Sequence, residues 1–330
     1  MLLIMKGELL SSFYLRRKIV LGIPLTNKDH EKVMHRLTLE WRLLPFFGVD
    51  EAKSFSQHNE SLDDIYFRHT PLWAYSPTFP IELYVRVLDN CYGANIEHTH
   101  KVLPRKFHSV FSGSGRFKFC YKCLKDRLVE HGFFWFDTVW MLGGYDVCRT
   151  HQVPMKRLFC NRCGAKHYKT IQMLYSTFNG KCQLCNASML EEGSFSDMVS
   201  YEDSWKKPFV TEYELFMKGY PMFSKDLIVK IIACALNISS TEYLDKASKT
   251  PFGQLTPYAQ NRTALRNYYY GKSDFVPLEA FWDCARLVFD DDFKSFDKYI
   301  KKRTQVKIFN SKVLWDKAIH DFDVKMLVPC

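Results

Sequence analysis

The sequence lacks long apolar runs, and its first residues do not resemble a signal peptide. No segment approaches the roughly 18 consecutive apolar residues that a membrane-spanning helix needs. The apolar stretch at residues 1–5 is short and is followed by Lys6 and Glu8. We therefore expect a cytoplasmic protein, in which thiols stay reduced and cysteines do not serve as disulfides.

The sequence also lacks the motifs of common catalytic sites. It contains no Gly-rich phosphate loop, no Walker-type lysine and no convincing Ser-His or Cys-His nucleophile arrangement. Internal repeats and low-complexity segments are missing as well, while 47% hydrophobic and 25% charged residues are ordinary for a folded protein. We expect a folded protein that is not an enzyme.

Hydrophobic periodicity predicts a mainly α fold with three domains in the 330 residues. We place an N-terminal helical domain at residues 1–112, a tandem zinc-finger or ribbon module at 113–190, and a C-terminal helical domain at 191–330. The flexible linker Ser112-Gly-Ser-Gly115 marks the first boundary. In the first domain, helices are predicted over residues 8–21 and 28–44, and the tight break between them suggests a helix-turn-helix or a plain packing unit.

A cysteine array occupies the central region. Seven of the eleven cysteines lie between residues 120 and 185: six form three pairs with two intervening residues, and the seventh, Cys148, pairs with His151 at the same spacing. Two such pairs supply four ligands, which satisfies a tetrahedral zinc ion with no open position for a substrate. We predict two structural zinc sites, one formed by Cys120, Cys123, Cys148 and His151, the other by Cys160, Cys163, Cys182 and Cys185.

Other interpretations of this array stay open. The cysteines could be buried small hydrophobes, although four regular pairs make this improbable. Iron–sulfur ligation competes with zinc, but two closed four-ligand sets favour zinc. Ligands could be exchanged between the sets, and His167 is a substitute ligand near Cys163.

The net charge of +10 is concentrated around the array. Residues 98–125 and 147–190 each carry seven Lys or Arg and no acidic residue. Phosphate-backbone contact is the functional interpretation, and a solvated rim around the metal sites is the alternative. The residues that we assign to nucleic-acid binding are Arg105, Lys106, Arg116, Lys118, Lys122, Arg157, Arg162 and Lys166.

Two segments of the C-terminal region have a similar ambiguity. At residues 258–272, Arg262 and Arg266 precede three tyrosines and Lys272; they could grip nucleic acid, form a protein hot spot, or bury the tyrosines in their own domain. At residues 226–236 the apolar residues have helical spacing, and Ser239-x-x-Glu242 looks like a capping box that starts another helix. This pair is either a second helix-turn-helix or core packing.

The motifs together resemble the TniQ/TnsD family of transposition target-selection proteins. The opening Gly7-Glu-Leu-Leu-Ser-Ser-Phe-Tyr-Leu-Arg16 resembles the family's Glu-Ser-Leu-x-Ser-Phe-x-x-Arg start, with Leu9 in place of Ser. Phe119-Cys-Tyr-Lys-Cys-Leu124 and Gly144-Tyr-Asp-Val-Cys-Arg-Thr-His-Gln-Val-Pro154 resemble its first zinc finger, and the two later cysteine pairs its second. The similarity covers about residues 7–20 and 115–190.

The resemblance implies an adaptor without enzymatic activity. Such proteins recruit an AAA+ transposition regulator to target DNA, either by binding the DNA themselves or, in CRISPR-associated transposons, by riding on a Cascade complex with guide RNA, often as a homodimer. A zinc-containing, sequence-specific DNA-binding transcriptional regulator is the alternative, because it would use the same basic and helical features. A zinc enzyme is the third class, and the closed ligand sets speak against it.

Overall fold

A computed structural model provides the fold of the chain. It describes a set of segments and single residues separated by gaps. These are residues 3–33, 47, 51, 53–55, 62–71, 78, 118–141, 145, 147–166, 177–197, 223–242, 252, 255, 259–276, 278–290 and 292–304.

About half of the described part of the chain is helical, with eight α-helices and one small sheet, which agrees in part with the predicted mainly α fold. The elements up to residue 197 belong to one compact unit, and those from residue 223 belong to a second. The predicted boundary at residues 112–115 lies outside the described residues, so the division into three domains stays a prediction. The elements in chain order are α1 (Leu10–Val20), α2 (Asn27–Val33), α3 (Leu62–His69), β1 (Lys118–Phe119), α4 (Tyr121–His131), a 3-10 helix (Thr138–Met141), β2 (Lys156–Cys160), β3 (Phe195–Asp197), α5 (Lys225–Glu242), α6 (Ala259–Tyr269), α7 (Leu278–Val288) and α8 (Phe293–Thr304).

Local signals define both ends of the connection between α1 and α2. Gly22 has a positive φ of 67°, and its amide and that of Ile23 bond back into α1, which ends the helix where the sequence predicts. Thr26 and Asp29 then form a reciprocal cap: the Thr26 amide donates to the Asp29 carboxylate at 2.6 Å, and the Asp29 amide donates to the Thr26 hydroxyl at 3.4 Å. The remainder of the helix predicted over 28–44 lies outside the described residues beyond Val33.

A three-stranded antiparallel sheet supports the cysteine array. Its order is β1-β2-β3, with Lys118 opposite Arg157 and Cys160 opposite Phe195. Phe119 and Phe195 are fully buried and their rings lie 5.8 Å apart, which anchors the sheet in an aromatic core. Because β1 runs directly into Cys120 and β2 ends at Cys160, the sheet fixes the first ligand of each cysteine set.

The second unit packs α5, α6, α7 and α8 around an aromatic and aliphatic core. Phe281 of α7 and Phe296 of α8 are fully buried, with ring centroids 6.4 Å apart. Ser224 caps α5 as predicted, accepting the Leu227 amide at 3.2 Å. The predicted helix start at Ser239 is wrong, because α5 continues without interruption to Glu242. The helix-turn-helix interpretation of this segment therefore has no turn at the expected position.

No helix in the described segments combines the length and apolarity required to cross a bilayer.

Candidate metal centres

The first cysteine set consists of Cys120, Cys123, Cys148 and His151, and its ligand atoms lie within 4.8 Å of one another. The Cys123 and Cys148 sulfurs are 3.6 Å apart, and the His151 Nδ1 lies 3.3 Å from the Cys123 sulfur. Four ligands at zinc bond lengths of about 2.3 Å (sulfur) and 2.0 Å (nitrogen) would stand about 3.5–3.8 Å apart at tetrahedral angles. The set therefore has the size and donor chemistry of a tetrahedral metal site.

The second set consists of Cys160, Cys163, Cys182 and Cys185. The Cys160–Cys185 and Cys163–Cys182 sulfur distances are 3.6 and 3.5 Å, far longer than the roughly 2.05 Å of a disulfide. Both ligand sets match the predicted grouping, so the exchange of ligands between sets is wrong. His167 lies outside the described residues.

Three of the four ligand pairs share one backbone turn, which we call the knuckle. In each, the first cysteine bonds its amide to the carbonyl five residues on, and its carbonyl accepts the amide four residues on, at 2.7–2.8 Å. The fifth residue of the turn has a positive φ: Gln152 (52°), Gly164 (73°) and Asn186 (58°). The knuckle points two ligands at one centre without help from distant contacts.

The fourth pair is built on a helix instead. Cys120 caps α4, and its sulfur accepts the Cys123 amide at 3.5 Å. A thiolate is favoured at this position because the unpaired amides and the dipole of a helix N-terminus stabilise negative charge. The first set thus combines a helix start with a knuckle, whereas the second combines two knuckles.

The close approach of the thiols in the first set shifts their pKa values in opposite directions. Hydrogen bonds from Cys120 and Cys123 lower the pKa of Cys148 to about 2. The bond from Cys123 favours the Cys120 thiolate, but the bond to Cys148 and burial outweigh it and raise the pKa of Cys120 to about 11. The same neighbours and burial raise the pKa of Cys123. A divalent cation bound by this set would supply the charge that lets all three thiols ionise together.

In the second set, too, the pKa values of the thiols are shifted in opposite directions. The Ala187 amide is the main cause that lowers the pKa of Cys185, to about 7. The Ala165 amide also favours the Cys163 thiolate, but desolvation and the neighbouring sulfurs outweigh it and raise the pKa of Cys163 to about 12. The side chain of Cys163 is exposed, in contrast to the buried Cys120 and Cys148. The second set is therefore the more accessible of the two.

Asp126 completes the first set from outside the ligand sphere. Its carboxylate lies 2.8 Å from the His151 Nε2, on the opposite side of the ring from the Nδ1 that faces the sulfurs. A carboxylate in this position fixes the imidazole tautomer and ring orientation and increases the ligand basicity. Asp126 was not predicted from the sequence; the available signal was its place three residues after Cys123 on the same helix.

The residues predicted to contact nucleic acid do not form one uniform surface. Arg105, Lys106 and Arg116 lie outside the described residues. Lys118 is fully buried in β1. Its predicted role as a surface contact with nucleic acid is therefore wrong. Among the others, Lys122 and Arg157 are half-buried, whereas Arg162 and Lys166 are exposed.

Exposed cations do gather on the knuckles of the second set. Arg162 lies inside the first knuckle. The backbone of Lys166, just beyond this knuckle, forms a β-bridge with that of Phe159, and the backbone of Lys181, just before the second knuckle, forms one with that of Ser188. No hydrogen bond or ion pair holds the charged groups of these three side chains within the described segments. The second set consequently presents three available positive charges.

The N-terminal motif, defined as Glu8, Ser12, Phe13 and Arg16, forms a buried network. Arg16 donates two hydrogen bonds to the Glu8 carboxylate, of 2.8 and 2.6 Å. The side chain of Arg16 is 2% exposed and that of Glu8 is 0% exposed. Phe13 packs edge-on against Phe55 at 5.4 Å. The sequence separation of eight residues between the two charges thus has a structural cause, since α1 brings Arg16 back over Glu8.

This motif also ties α1 to the segment that follows α4. The Phe136 amide donates to the Ser12 hydroxyl at 3.0 Å, and the Leu9 amide donates to the Phe136 carbonyl at 2.7 Å. The Thr138 amide bonds the Gly7 carbonyl at 2.9 Å. The Phe136 ring is 6.4 Å from that of Phe119, the residue before the ligand Cys120. The N-terminal motif and the first metal set therefore belong to one core.

A comparison with protein-family models finds no match for the chain, and a comparison with curated proteins finds none either.

Proposed function

We propose that the chain is a non-enzymatic target-site selection adaptor for DNA transposition, with a role like that of the TniQ/TnsD proteins it resembles. In this role it links target DNA, or a Cascade complex with guide RNA, to an AAA+ transposition regulator. The two metal sets act as structural zinc sites that hold a tandem zinc-finger module, and the helices around them supply docking surfaces.

The observation that carries this proposal is the joint structure of the N-terminal motif and the first metal set. Glu8, Ser12 and Arg16, the polar residues of the motif, meet in one buried network. The network bonds the backbone at Phe136, whose ring packs on the residue before Cys120. Two separate sequence motifs of the resemblance are therefore parts of one structural unit, which supports treating them as one module.

Zinc is the metal that the donor sets favour. Three thiolates with one imidazole, and four thiolates, are typical of structural zinc sites, and all four positions are filled by protein. A filled set leaves no position for a substrate, which supports a structural role rather than a catalytic one. Iron bound to the same thiolates is the competing assignment, and metal analysis of the purified protein separates the two.

DNA contact in this proposal comes from the second metal set. Its thiolates with zinc carry a net charge of about −2, but Arg162, Lys166 and Lys181 project from the same knuckles with no partner in the described segments. Side chains so placed can bond phosphate oxygens without first breaking an ion pair. The contact would position the adaptor on DNA and would carry no base specificity by itself.

The test is affinity purification of the tagged chain after co-expression with its neighbouring genes. Recovery of an AAA+ regulator supports the adaptor role. Cascade proteins and guide RNA in the same eluate would mean that base pairing chooses the target, whereas DNA without RNA would mean that this chain reads the target. Failure to bind or stimulate the regulator, with tight binding to one DNA sequence, would replace the proposal by a DNA-binding transcriptional regulator.

A matched pair of triple variants isolates the DNA contact. Arg162→Ala/Lys166→Ala/Lys181→Ala should keep the regulator and weaken duplex binding, lowering the salt slope of the affinity by about 0.9 for each phosphate that is no longer neutralised. Lys230→Ala/Lys294→Ala/Lys298→Ala removes the same charge from exposed positions of the second unit. This control triple should change neither regulator binding nor duplex binding. Equal effects of both triples on DNA binding would refute the knuckle contact.

A further inference from the structure

The second unit carries an aromatic and basic surface that the adaptor role does not use. We call it the α6 stripe; it consists of Arg262, Arg266, Tyr269 and Tyr270, with Phe252 and Lys272 beside them. From its geometry we propose that the α6 stripe binds single-stranded nucleic acid, with Tyr270 as a stacking platform for a base and Arg266 as a phosphate contact.

The stripe follows from the helical repeat. Arg262, Arg266 and Tyr270 are four residues apart, so they lie on one side of α6, each about 6 Å further along the axis. The Tyr270 amide still bonds the Arg266 carbonyl at 3.1 Å, which continues the helical turn to this residue. Tyr268, on the opposite side, and Leu265, at the edge of the stripe, are both buried in the core of the unit.

The end of the helix is rigid. The Gly271 amide bonds the Tyr268 carbonyl at 3.0 Å and the Lys272 amide bonds the Asn267 carbonyl at 2.7 Å, with Gly271 at a φ of 69°. This is a Schellman arrangement, which fixes the direction of the chain after a helix. Tyr270 and Lys272 therefore start from defined backbone positions rather than from a mobile loop.

The aromatic groups are ordered and partly open. The rings of Tyr269 and Tyr270 are 5.3 Å apart, and Phe252 lies 6.0 and 6.2 Å from them. Tyr270 nevertheless remains 62% exposed, which is high for a large aromatic residue held in a cluster. Its neighbours hold the ring in place while leaving surface for a base to stack on, an interaction that every base can make.

The charge around the tyrosines is segregated. No described residue forms an ion pair or a side-chain hydrogen bond with the charged groups of Arg262, Arg266 or Lys272. Acidic groups lie instead near Tyr268: burial, then Asp274 and Asp226, raise the pKa of that phenol to about 12, and Asp274 pairs with Lys225 at 3.0 Å. The stripe is thus a surface of free cations and an open ring, which matches a ligand of phosphates and bases.

The test is fluorescence anisotropy with labelled oligo-dT, oligo-rU and a duplex of the same length. The full-length protein carries the Arg162→Ala/Lys166→Ala/Lys181→Ala substitutions, so that knuckle contacts do not contribute and the outcome does not depend on the adaptor role. We expect single strands to bind better than the duplex. The comparison of oligo-dT with oligo-rU identifies whether DNA or RNA is preferred.

Point variants in this background separate stacking from charge. Tyr270→Ala should weaken single-strand binding by about 5- to 150-fold, while Tyr270→Phe, which keeps the ring, should restore most of it. Arg266→Ala should lower the salt slope by about 0.7. Lys298→Ala, an exposed lysine on α8, is the matched control and should leave the affinity unchanged.

Three results would overturn the proposal. The first is no binding of either single strand, which would leave a protein partner as the occupant of the stripe. The second is equal weakening by Tyr270→Phe and Tyr270→Ala, and the third is equal weakening by Arg266→Ala and Lys298→Ala. Because Tyr270 is largely exposed, each variant should melt as the parent does, which would show that weaker binding does not come from unfolding.

Discussion

The ion pair between Glu8 and Arg16 makes the sharpest prediction about stability. Arg16 is 1% exposed as a residue and Glu8 is 0% exposed, so neither charge reaches solvent. Arg16→Met keeps much of the side-chain volume but removes both hydrogen bonds to the carboxylate. Breaking a buried pair by removing one partner costs roughly 3–5 kcal/mol, because the other charge stays buried without compensation. That is a large fraction of the stability of an ordinary domain.

The pH dependence of the stability of Arg16→Met shows whether the uncompensated Glu8 carboxylate causes the destabilisation. Burial raises the pKa of Glu8, and Arg16 and the Met5 amide oppose this rise. Without Arg16 the folded pKa should rise further, above the unfolded value of about 4.5. The folded state then binds a proton that the unfolded state releases, so stability is retained below that unfolded pKa and is lost as the pH rises towards the folded one.

A double variant separates the charge from the packing. Glu8→Gln/Arg16→Met removes both charges, so it should be less destabilised than Arg16→Met alone, with a coupling energy well outside the few tenths of additive error. Arg17→Met is the matched control on the same helix, since Arg17 is only half-buried and its guanidinium bonds the exposed Ser54 hydroxyl. Its effect should stay near or below 1 kcal/mol.

Hydrogen exchange of the α1 and α4 peptides measures these effects locally, because it gives an opening free energy for each segment without assuming that the two units unfold together. The reasoning is refuted if Arg16→Met and Arg17→Met lower the protection of α1 equally. It is also refuted if Glu8→Gln/Arg16→Met is at least as unstable as Arg16→Met.

Three further predictions concern the metal sets and a buried histidine. Cys123→Ser and Cys163→Ser should each lose one metal ion and unfold its own set, because metal binding supplies roughly 10 kcal/mol or more of folding free energy in small zinc modules; retained metal and melting in either would remove that ligand. Asp126→Asn, at a 64% exposed side chain, should weaken metal binding at the first set by about 10- to 100-fold in a chelator competition and leave the second unchanged, and equal affinities would refute its role. Burial, against a hydrogen bond to the Glu8 carbonyl, lowers the pKa of His69 to about 4, so the unfolded state binds a proton first as the pH falls below 6.5. Between pH 7 and 5 the wild type should lose about 2 kcal/mol more stability than His69→Asn, measured by denaturant unfolding, and parallel pH profiles would refute this.

The metal sets could be predicted from the sequence because their geometry is local. A knuckle is closed by bonds that span four and five residues, so the spacing of two ligands already contains most of the turn. The end of α1 at Gly22 could also be predicted, because a glycine with positive φ acts within a few residues, whereas the reciprocal cap at Thr26 was not predicted from the sequence. The grouping of four pairs into two sets needed the additional rule that each metal takes four ligands.

Other features depend on contacts that spacing does not contain. Lys118 looks like its exposed basic neighbours in sequence, yet the sheet buries it. Ser239 and Glu242 have the pattern of a helix start, but α5 continues through them. Asp126 acquires its role only because the chain returns after 25 residues to place His151 beside it. In each case a long-range contact, not the local pattern, decides the outcome.

The contacts of Phe136 explain why the N-terminal motif and the first metal set should act together. The Phe136 amide donates to the Ser12 hydroxyl of α1, and the Phe136 ring faces Phe119, which leads directly to the ligand Cys120. Loss of the metal would free Cys120 and loosen this aromatic contact, while loss of Arg16 would loosen the same residue from the other side. Because packed cores respond to such losses as units rather than by gradual deformation, the packing of α1 should depend on a filled first metal set.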